Sequence, residues 1–227
     1  MTTGQSISID YIGIERQPVI VIDHFVPDPS ELRTEAEALN FGVMGAYYPG
    51  IRAHVPKARV SAFMPPIIDL IGETFGLRGQ IELIDAMYSV VTTPPEQLAP
   101  IQRLPHYDGL DAERIALLHY LSGPERGGTA FYRHKSTGYE SVSQANYDHF
   151  AAALQRDVAT HGLPTAAYIA GDTPLYEQIA CYEAKVNRAL IYRGHVLHCR
   201  VIPVDEPLMA DPRQGRLTVN TFLMGQV

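Results

Sequence analysis

From residue 81 onward the chain is a succession of short apolar segments separated by turns that contain Gly or Pro. The segments are 81–92, 104–108, 114–121, 129–132, 176–183, 188–192, 196–201 and 216–223. Many short strands at such spacing predict a mainly β fold, either a sandwich, a barrel or a jelly roll. Segment 141–161 interrupts the series with apolar residues at helical spacing, so it predicts a helix that lies outside the sheets.

The first eighty residues mix strand and helix patterns. Segments 7–14 and 19–25 predict strands, and Asp28 and Pro29 then fit the start of a helix that runs to about Leu39. Residues 41–57 have no period and predict a long loop, and residues 59–75 predict a helix interrupted near Pro65 and Pro66. At 227 residues we expect a single domain over 1–227, in which 1–79 pack on a jelly-roll core at 80–227.

Charge and composition exclude several function classes. The net charge of −7 and the lack of a basic stripe argue against nucleic acid or an anionic membrane surface as partner. No apolar run reaches the roughly 18 residues needed to span a bilayer, and the first residues do not resemble a secretory signal. The two cysteines, Cys181 and Cys199, form no disulfide framework, so we expect a cytoplasmic protein.

A His-x-Asp motif stands at His106 and Asp108. In an extended chain these two side chains point to the same face, and Tyr107 points to the other. One imidazole and one carboxylate on one face are two parts of the 2-His-1-carboxylate set that holds non-haem Fe(II) and leaves coordination positions open. A polar turn closed by Asp108 and Gly109 is the structural alternative.

The candidates for the third ligand are His198 and His195. His198 lies inside an alternating strand pattern, whereas His195 follows Gly194 and is expected in a turn. A single histidine in a strand is more often a core residue than a ligand, so the pattern leaves this choice open.

The last predicted strand opens with Arg216 and carries Thr218 two residues on. Both side chains point to one face, where a guanidinium fork and a hydroxyl could bind a carboxylate. The alternative is an arginine at a strand end that extends into solvent.

From about residue 81 to the C-terminus, these motifs together resemble the Fe(II)/2-oxoglutarate-dependent dioxygenases, prolyl-4-hydroxylase-like branch. That family has His-x-Asp, a strand ending in Tyr-Leu, a Gly-Gly pair before a Phe, a late His followed by Pro-Val, and Arg-x-Ser/Thr on the final strand. The corresponding residues in this chain, in order, are His106-Tyr107-Asp108, Tyr120-Leu121, Gly127-Gly128 before Phe131, His198 before Pro203-Val204, and Arg216-Leu217-Thr218.

The resemblance implies a double-stranded β-helix, a cupin-like jelly roll with flanking helices, and a hydroxylase-type oxidoreductase. It assigns the iron to His106, Asp108 and His198. It assigns the distal carboxylate of 2-oxoglutarate to Arg216, with Tyr120 and Thr218 assisting. The implied reaction consumes O₂ and a small-molecule or peptidyl substrate.

Two other functions fit the same fold. A cupin-type metal enzyme without 2-oxoglutarate would not need Arg216, and a non-catalytic ligand-binding jelly roll would not need the three metal ligands. A catalytic zinc site is a further possibility. Candidate substrate contacts are Tyr47, Tyr48, Arg52, His134 and the 136–172 insertion.

Overall fold

The computed structural model describes residues 4–123, 127–205 and 207–226. The strands are β1 Ser6–Ile12, β2 Gln17–Asp23, β3 Gly50–His54, β4 Arg78–Val91, β5 Arg114–Tyr120, β6 Gly128–His134, β7 Tyr176–Glu183, β8 Ala189–Arg193, β9 His198–Val201 and β10 Leu217–Gln226. The α-helices are α1 Pro29–Glu37, α2 Lys57–Phe63, α3 Pro65–Phe75 and α4 Tyr147–His161, and two short 3₁₀ helices span Pro95–Gln97 and Pro100–Arg103. None of the helices in these ranges has the length and hydropathy that crossing a bilayer requires.

The strands form two antiparallel sheets. The larger sheet has the order β1-β2-β8-β5-β10-β4-β3, and the smaller has the order β7-β6-β9. Apolar residues of both sheets pack together between them, among them Leu118 of β5 and Phe131 of β6. The predicted fold class, a mainly β jelly roll with flanking helices, is confirmed.

Helices cover the outer faces of both sheets. The other face of the larger sheet packs on α1, α2 and α3 through residues such as Leu117 and Ile71. Helix α4 covers the smaller sheet through Phe150, which packs among residues of β6 and β9. The two sheets are therefore shielded outside and meet inside, which leaves one end of the space between them for a site.

The N-terminal residues take part in the larger sheet itself. Strand β2 pairs with β8 and carries β1 at the sheet edge, while β3 pairs with β4 at the opposite edge. The predicted helix start is confirmed, since the side chain of Asp28 accepts a hydrogen bond from the backbone N–H of Ser30. Gly76 ends α3 in the left-handed conformation, which suits a residue without a Cβ.

Three predicted element boundaries were wrong. Residues 41–57 contain β3, an edge strand whose burial does not alternate from residue to residue, so its sequence has no strand period. Residues 104–108 form no strand and make one isolated bridge at His106, because Pro105 has no N–H to donate. Helix α4 begins only at Tyr147, since the Asn146 side chain bonds the Ser143 N–H and the Ser141 carbonyl in a competing local turn.

Candidate active site

The backbone brings His106 and Asp108 to the end of the smaller sheet. His106 and His198 exchange both backbone hydrogen bonds at 2.9 Å, so the segment at His106 lies beside the first residue of β9. The N–H of Asp108 donates to the carbonyl of Gly194 at 2.7 Å. These three bonds hold the His-x-Asp motif in place although it is not part of a regular strand.

The side chains of His106, Asp108 and His198 converge. Nε2 of His198 lies 3.5 Å from Oδ2 of Asp108, and Nε2 of His106 lies 3.9 Å from Oδ1. One ligand atom from each of the three residues lies within 4.8 Å of the others. Two nitrogens and one oxygen at these separations could bind a single divalent cation.

The environment of the two histidines favours metal binding. The ring Nδ1 of His198 lies 2.8 Å from the carbonyl oxygen of Val196; donating that hydrogen bond leaves Nε2 free to accept a cation. Burial, with a further contribution from the nearby His198 and arginines, holds the pKa of His106 well below its usual value, which keeps its imidazole neutral. Burial also raises the pKa of Asp108, and the neighbouring His198 and Arg52 oppose that rise.

His195, the alternative ligand, does not join this cluster. It is buried, and neither ring nitrogen has a hydrogen-bond partner in the described part of the chain. Its backbone carbonyl accepts from Val142 at the base of the insertion. The cluster of converging side chains therefore contains His198 and not His195.

A cavity extends from these three side chains into the space between the sheets, and Arg216 lines its wall. The cavity holds about 530 Å³, part of which is open to solvent. Arg216 is 5% exposed, and its Nη2 donates to the carbonyl of Gly128 at 2.9 Å. Its Nε has no partner among the described residues. A buried guanidinium with an unused donor needs an anion to offset the cost of its burial.

Tyr120 and Thr218 lie near Arg216. The guanidinium carbon of Arg216 lies 5.5 Å from the centre of the Tyr120 ring, within cation–π range. The Tyr120 hydroxyl is bonded to the hydroxyl of Thr129 at 2.6 Å. Thr218 lines the cavity, and its hydroxyl lies 3.5 Å from the carbonyl oxygen of Ser89.

The residues suggested as substrate contacts separate into two groups. Tyr48 and Arg52 line the cavity, and the Arg52 guanidinium lies 3.9 Å from the centre of the Tyr48 ring. Tyr47 is 71% exposed and does not line the cavity. His134 is buried on the outer side of the smaller sheet, where it packs against Phe150 and Tyr176.

The sequence interpretation did not single out three further residues that line the cavity, Tyr192, Arg200 and Asn220. Arg200 follows His198 by two positions on β9, so strand alternation already predicts that it shares the face of a ligand. Asn220 follows Thr218 by the same spacing on β10 and donates to the hydroxyl of Ser89. Strand periodicity could have identified Arg200 and Asn220. No such signal distinguishes Tyr192 from the other tyrosines on apolar strands.

Comparison with known proteins gives a family and a set of similar structures. The model of the "Family of unknown function (DUF6445)" matches residues 4–223. A comparison with curated proteins finds no match. Among solved structures, HygX from Streptomyces hygroscopicus with nickel, 2-oxoglutarate and hygromycin B bound has a TM-score of 0.53 and 13% identity, over 93% of this chain and 84% of HygX.

Two structures from nogalamycin biosynthesis are comparably similar. The non-haem α-ketoglutarate-dependent epimerase SnoN has a TM-score of 0.52 and 14% identity, over 93% of this chain and 79% of SnoN. The carbocyclase SnoK, described in the same terms, has a TM-score of 0.51 and 12% identity, over 93% and 81%. At these identities the similarity establishes a shared fold.

Proposed function

Because the chain belongs to the DUF6445 family of unknown function, which supplies no activity, we propose a function from the site itself. The protein is an Fe(II)- and 2-oxoglutarate-dependent oxygenase. The observation that carries the proposal is the convergence of His106, Asp108 and His198 at a cavity lined by a buried arginine with an unused donor.

Iron fits the three converging side chains. Two neutral imidazoles and one carboxylate are the donor set of non-haem Fe(II) oxygenases, and three protein ligands leave positions for 2-oxoglutarate and O₂. When bound, the iron would couple oxidative decarboxylation of 2-oxoglutarate by O₂, which gives succinate and CO₂, to insertion of the second oxygen atom into a substrate C–H bond. The hydrogen bond between His198 and Val196 would keep the ring oriented toward the metal.

2-Oxoglutarate fits the remainder of the cavity. Its distal carboxylate would bind the Arg216 guanidinium, whose Nε is free to donate, and Thr218 would supply a hydroxyl from the same face of β10. Tyr120 would contribute its ring, since its hydroxyl is already bonded to Thr129. Support comes from HygX, a protein of the same fold whose structure contains nickel and 2-oxoglutarate.

We propose hydroxylation as the outcome because a carboxylate stands at Asp108. Related halogenases have a small residue at that position, which leaves room for chloride on the metal. SnoN and SnoK are an epimerase and a carbocyclase on the same fold, so those outcomes are the alternatives for this site. The substrate would be a small molecule or a peptide, and we expect the enzyme in the cytoplasm, where its two free cysteines would stay reduced.

Succinate formation tests the proposal. The purified chain with Fe(II), ascorbate and 2-oxoglutarate should form succinate in air even without a primary substrate, and His198→Ala should abolish this reaction while His195→Ala retains it. Metal binding by the wild type without any 2-oxoglutarate binding would instead favour a cupin-type enzyme. Absence of both would favour a ligand-binding jelly roll.

A further inference from the structure

Three side chains other than Arg216 form a second cationic group in the cavity. Tyr48 precedes β3, Arg52 lies on β3, and Arg200 lies on β9 two residues after His198. The guanidinium carbons of Arg52 and Arg200 lie 3.9 and 5.5 Å from the centre of the Tyr48 ring. Two arginines from opposite sheets thus approach one aromatic ring beside the proposed metal ligands.

Two polar atoms of this group have no hydrogen-bond partner among the described residues. The Arg52 Nε and the Tyr48 hydroxyl are buried without a hydrogen-bond partner in the described part of the chain. Across those same residues, neither Arg52 nor Arg200 has a carboxylate within ion-pair distance. Two guanidinium groups this close repel each other, and burial lowers the pKa of Arg52, so their placement costs free energy unless an anion lies between them.

The excess of positive charge in the cavity also indicates that a further anion binds there. Asp108 is the only carboxylate among the described residues that line it, whereas Arg52, Arg200 and Arg216 all do. With a divalent metal bound, the positive charge of the metal and the three arginines would exceed the negative charge of Asp108 and 2-oxoglutarate by about two units. The cosubstrate therefore leaves the second cationic group unneutralised.

We propose that Tyr48, Arg52 and Arg200 form the subsite that binds an anionic group of the primary substrate, a carboxylate or a phosphate. The proposal rests on the function proposed above, because it assigns Arg216 to the cosubstrate. Both guanidinium forks would donate to the oxygen atoms of the anion, and the Tyr48 hydroxyl would add a third donor. Because Arg200 shares its strand face with His198, the bound anion would hold the substrate next to the metal.

Fluorinated fragments test the subsite without turnover. We would measure ¹⁹F line broadening of 4-fluorobenzoate, 4-fluorophenyl phosphate and the neutral 4-fluorobenzamide on the full metal-free chain. One or both anions should bind, the amide should not, and Arg52→Gln with Arg200→Gln should weaken anion binding at least tenfold. Arg213→Gln, which removes one exposed arginine paired with Asp211, is the surface control and should have no effect. The anion that binds more tightly, carboxylate or phosphate, identifies the anionic group of the substrate.

Competition with the cosubstrate separates this proposal from the previous one. Anion binding should persist in Arg216→Gln and in the presence of Zn(II) with saturating 2-oxoglutarate. Equal binding of the amide, or loss of anion binding in Arg216→Gln alone, would overturn the subsite. Calorimetric titration of 2-oxoglutarate should show a larger loss of affinity in Arg216→Gln than in the double variant. A larger loss in the double variant would reassign Arg52 and Arg200 to the cosubstrate. If no form of the protein binds 2-oxoglutarate, the oxygenase proposal is refuted, but the result for the subsite, measured without metal, still stands.

Discussion

His119 is a buried histidine whose surroundings accept only its neutral form. Its Nε2 lies 3.0 Å from Oδ1 of Asn187, an oxygen that also accepts from the Val26 N–H, so Nε2 must be the donor. Its Nδ1 is buried and has no partner among the described residues. Protonation would place an unbonded N–H there, and burial accordingly lowers the pKa of His119 to about 4.

This lowered pKa predicts a loss of stability in acid. The unfolded chain binds a proton near pH 6.5, whereas the folded chain does so only near pH 4, so protonation favours unfolding as the pH falls through that window. Between pH 7.5 and 4.5 the wild type should lose about 2–3 kcal/mol more than His119→Gln, which keeps a donor but does not titrate. Urea unfolding of both proteins at the two pH values measures the difference, and parallel losses would contradict the assignment.

Arg216 should be required for 2-oxoglutarate binding and dispensable for the metal. Arg216→Lys keeps the charge but loses the planar fork, so the apparent KM for 2-oxoglutarate should rise at least tenfold, about 1.4 kcal/mol or more. Binding of Zn(II) measured by calorimetry should change little. Arg213→Lys is the control on an exposed arginine. An unchanged KM in Arg216→Lys would assign the cosubstrate carboxylate elsewhere.

His106→Ala should have the opposite effect. Removal of one of two imidazole ligands should weaken Zn(II) binding by at least one order of magnitude, since the remaining two residues complete fewer coordination positions. His134→Ala is the matched control, because His134 is also buried but lies on the outer side of the smaller sheet. Zn(II) titrations of the three proteins decide the matter; equal affinities would remove His106 from the site.

Single residues were predictable where a short motif constrained them. Strand alternation predicted that Arg216 and Thr218 share one side, and the same argument grouped His106 with Asp108 although residues 104–108 form no regular strand. The choice between His195 and His198 could not be predicted from alternation, because it depends on which residue at the start of β9 pairs with His106. Tyr48 and Arg52 were candidate substrate contacts, but their meeting with Arg200 was not predictable, since it joins residues of two sheets that are distant in sequence.

At the scale of elements, a buried carboxylate ties the insertion to the N-terminal hairpin. Glu140 is fully buried, and its two carboxylate oxygens accept from the backbone N–H groups of Ile14 and Glu15 at 3.0 and 2.9 Å. It also pairs with Arg133 of β6. The turn after β1 passes so close that a Cβ at Gly13, which has a φ of +63°, would overlap the Glu140 carboxylate.

Glu140→Gln should therefore destabilise the fold. The amide keeps the size of the side chain but removes the charge opposite Arg133 and replaces one acceptor with a donor, so we expect a loss of about 2–4 kcal/mol. Glu177→Gln is the control, because Glu177 pairs with the same Arg133 from a side chain that is 44% exposed, and it should cost under about 1 kcal/mol. Chemical unfolding compares the two variants, and similar losses would contradict the role given to Glu140.

Most elements were predictable from periodicity, and two of the three exceptions have a common cause. Strand β7 begins and ends where its pattern predicts, and β5, β8 and β10 differ only at their ends. Strand β3 and the segment at His106 were misassigned because each is held by pairing with a distant strand, β4 in one case and β9 in the other. Local sequence does not contain that information.

At the scale of the whole molecule, the candidate site lies between the two sheets. Ligands that bridge His106 and His198 on one side and Arg216 on the other would bind the folded state alone and stabilise it. Metal and 2-oxoglutarate should act together, because one end of the cosubstrate would bind the metal and the other Arg216. Without the metal, 2-oxoglutarate would bind only through the carboxylate that contacts Arg216.

Thermal unfolding tests this coupling. With Zn(II) and 2-oxoglutarate each at a hundred times its dissociation constant, each should add about 2.7 kcal/mol, so the two together should raise Tm by roughly 10–20 °C for a chain of this size. The cosubstrate without metal should raise Tm by less than half of that, and Arg216→Gln should lose the increment due to 2-oxoglutarate but keep that due to Zn(II). Equal shifts with and without metal would mean that 2-oxoglutarate binds without contacting the metal, which would contradict its place between the two sheets.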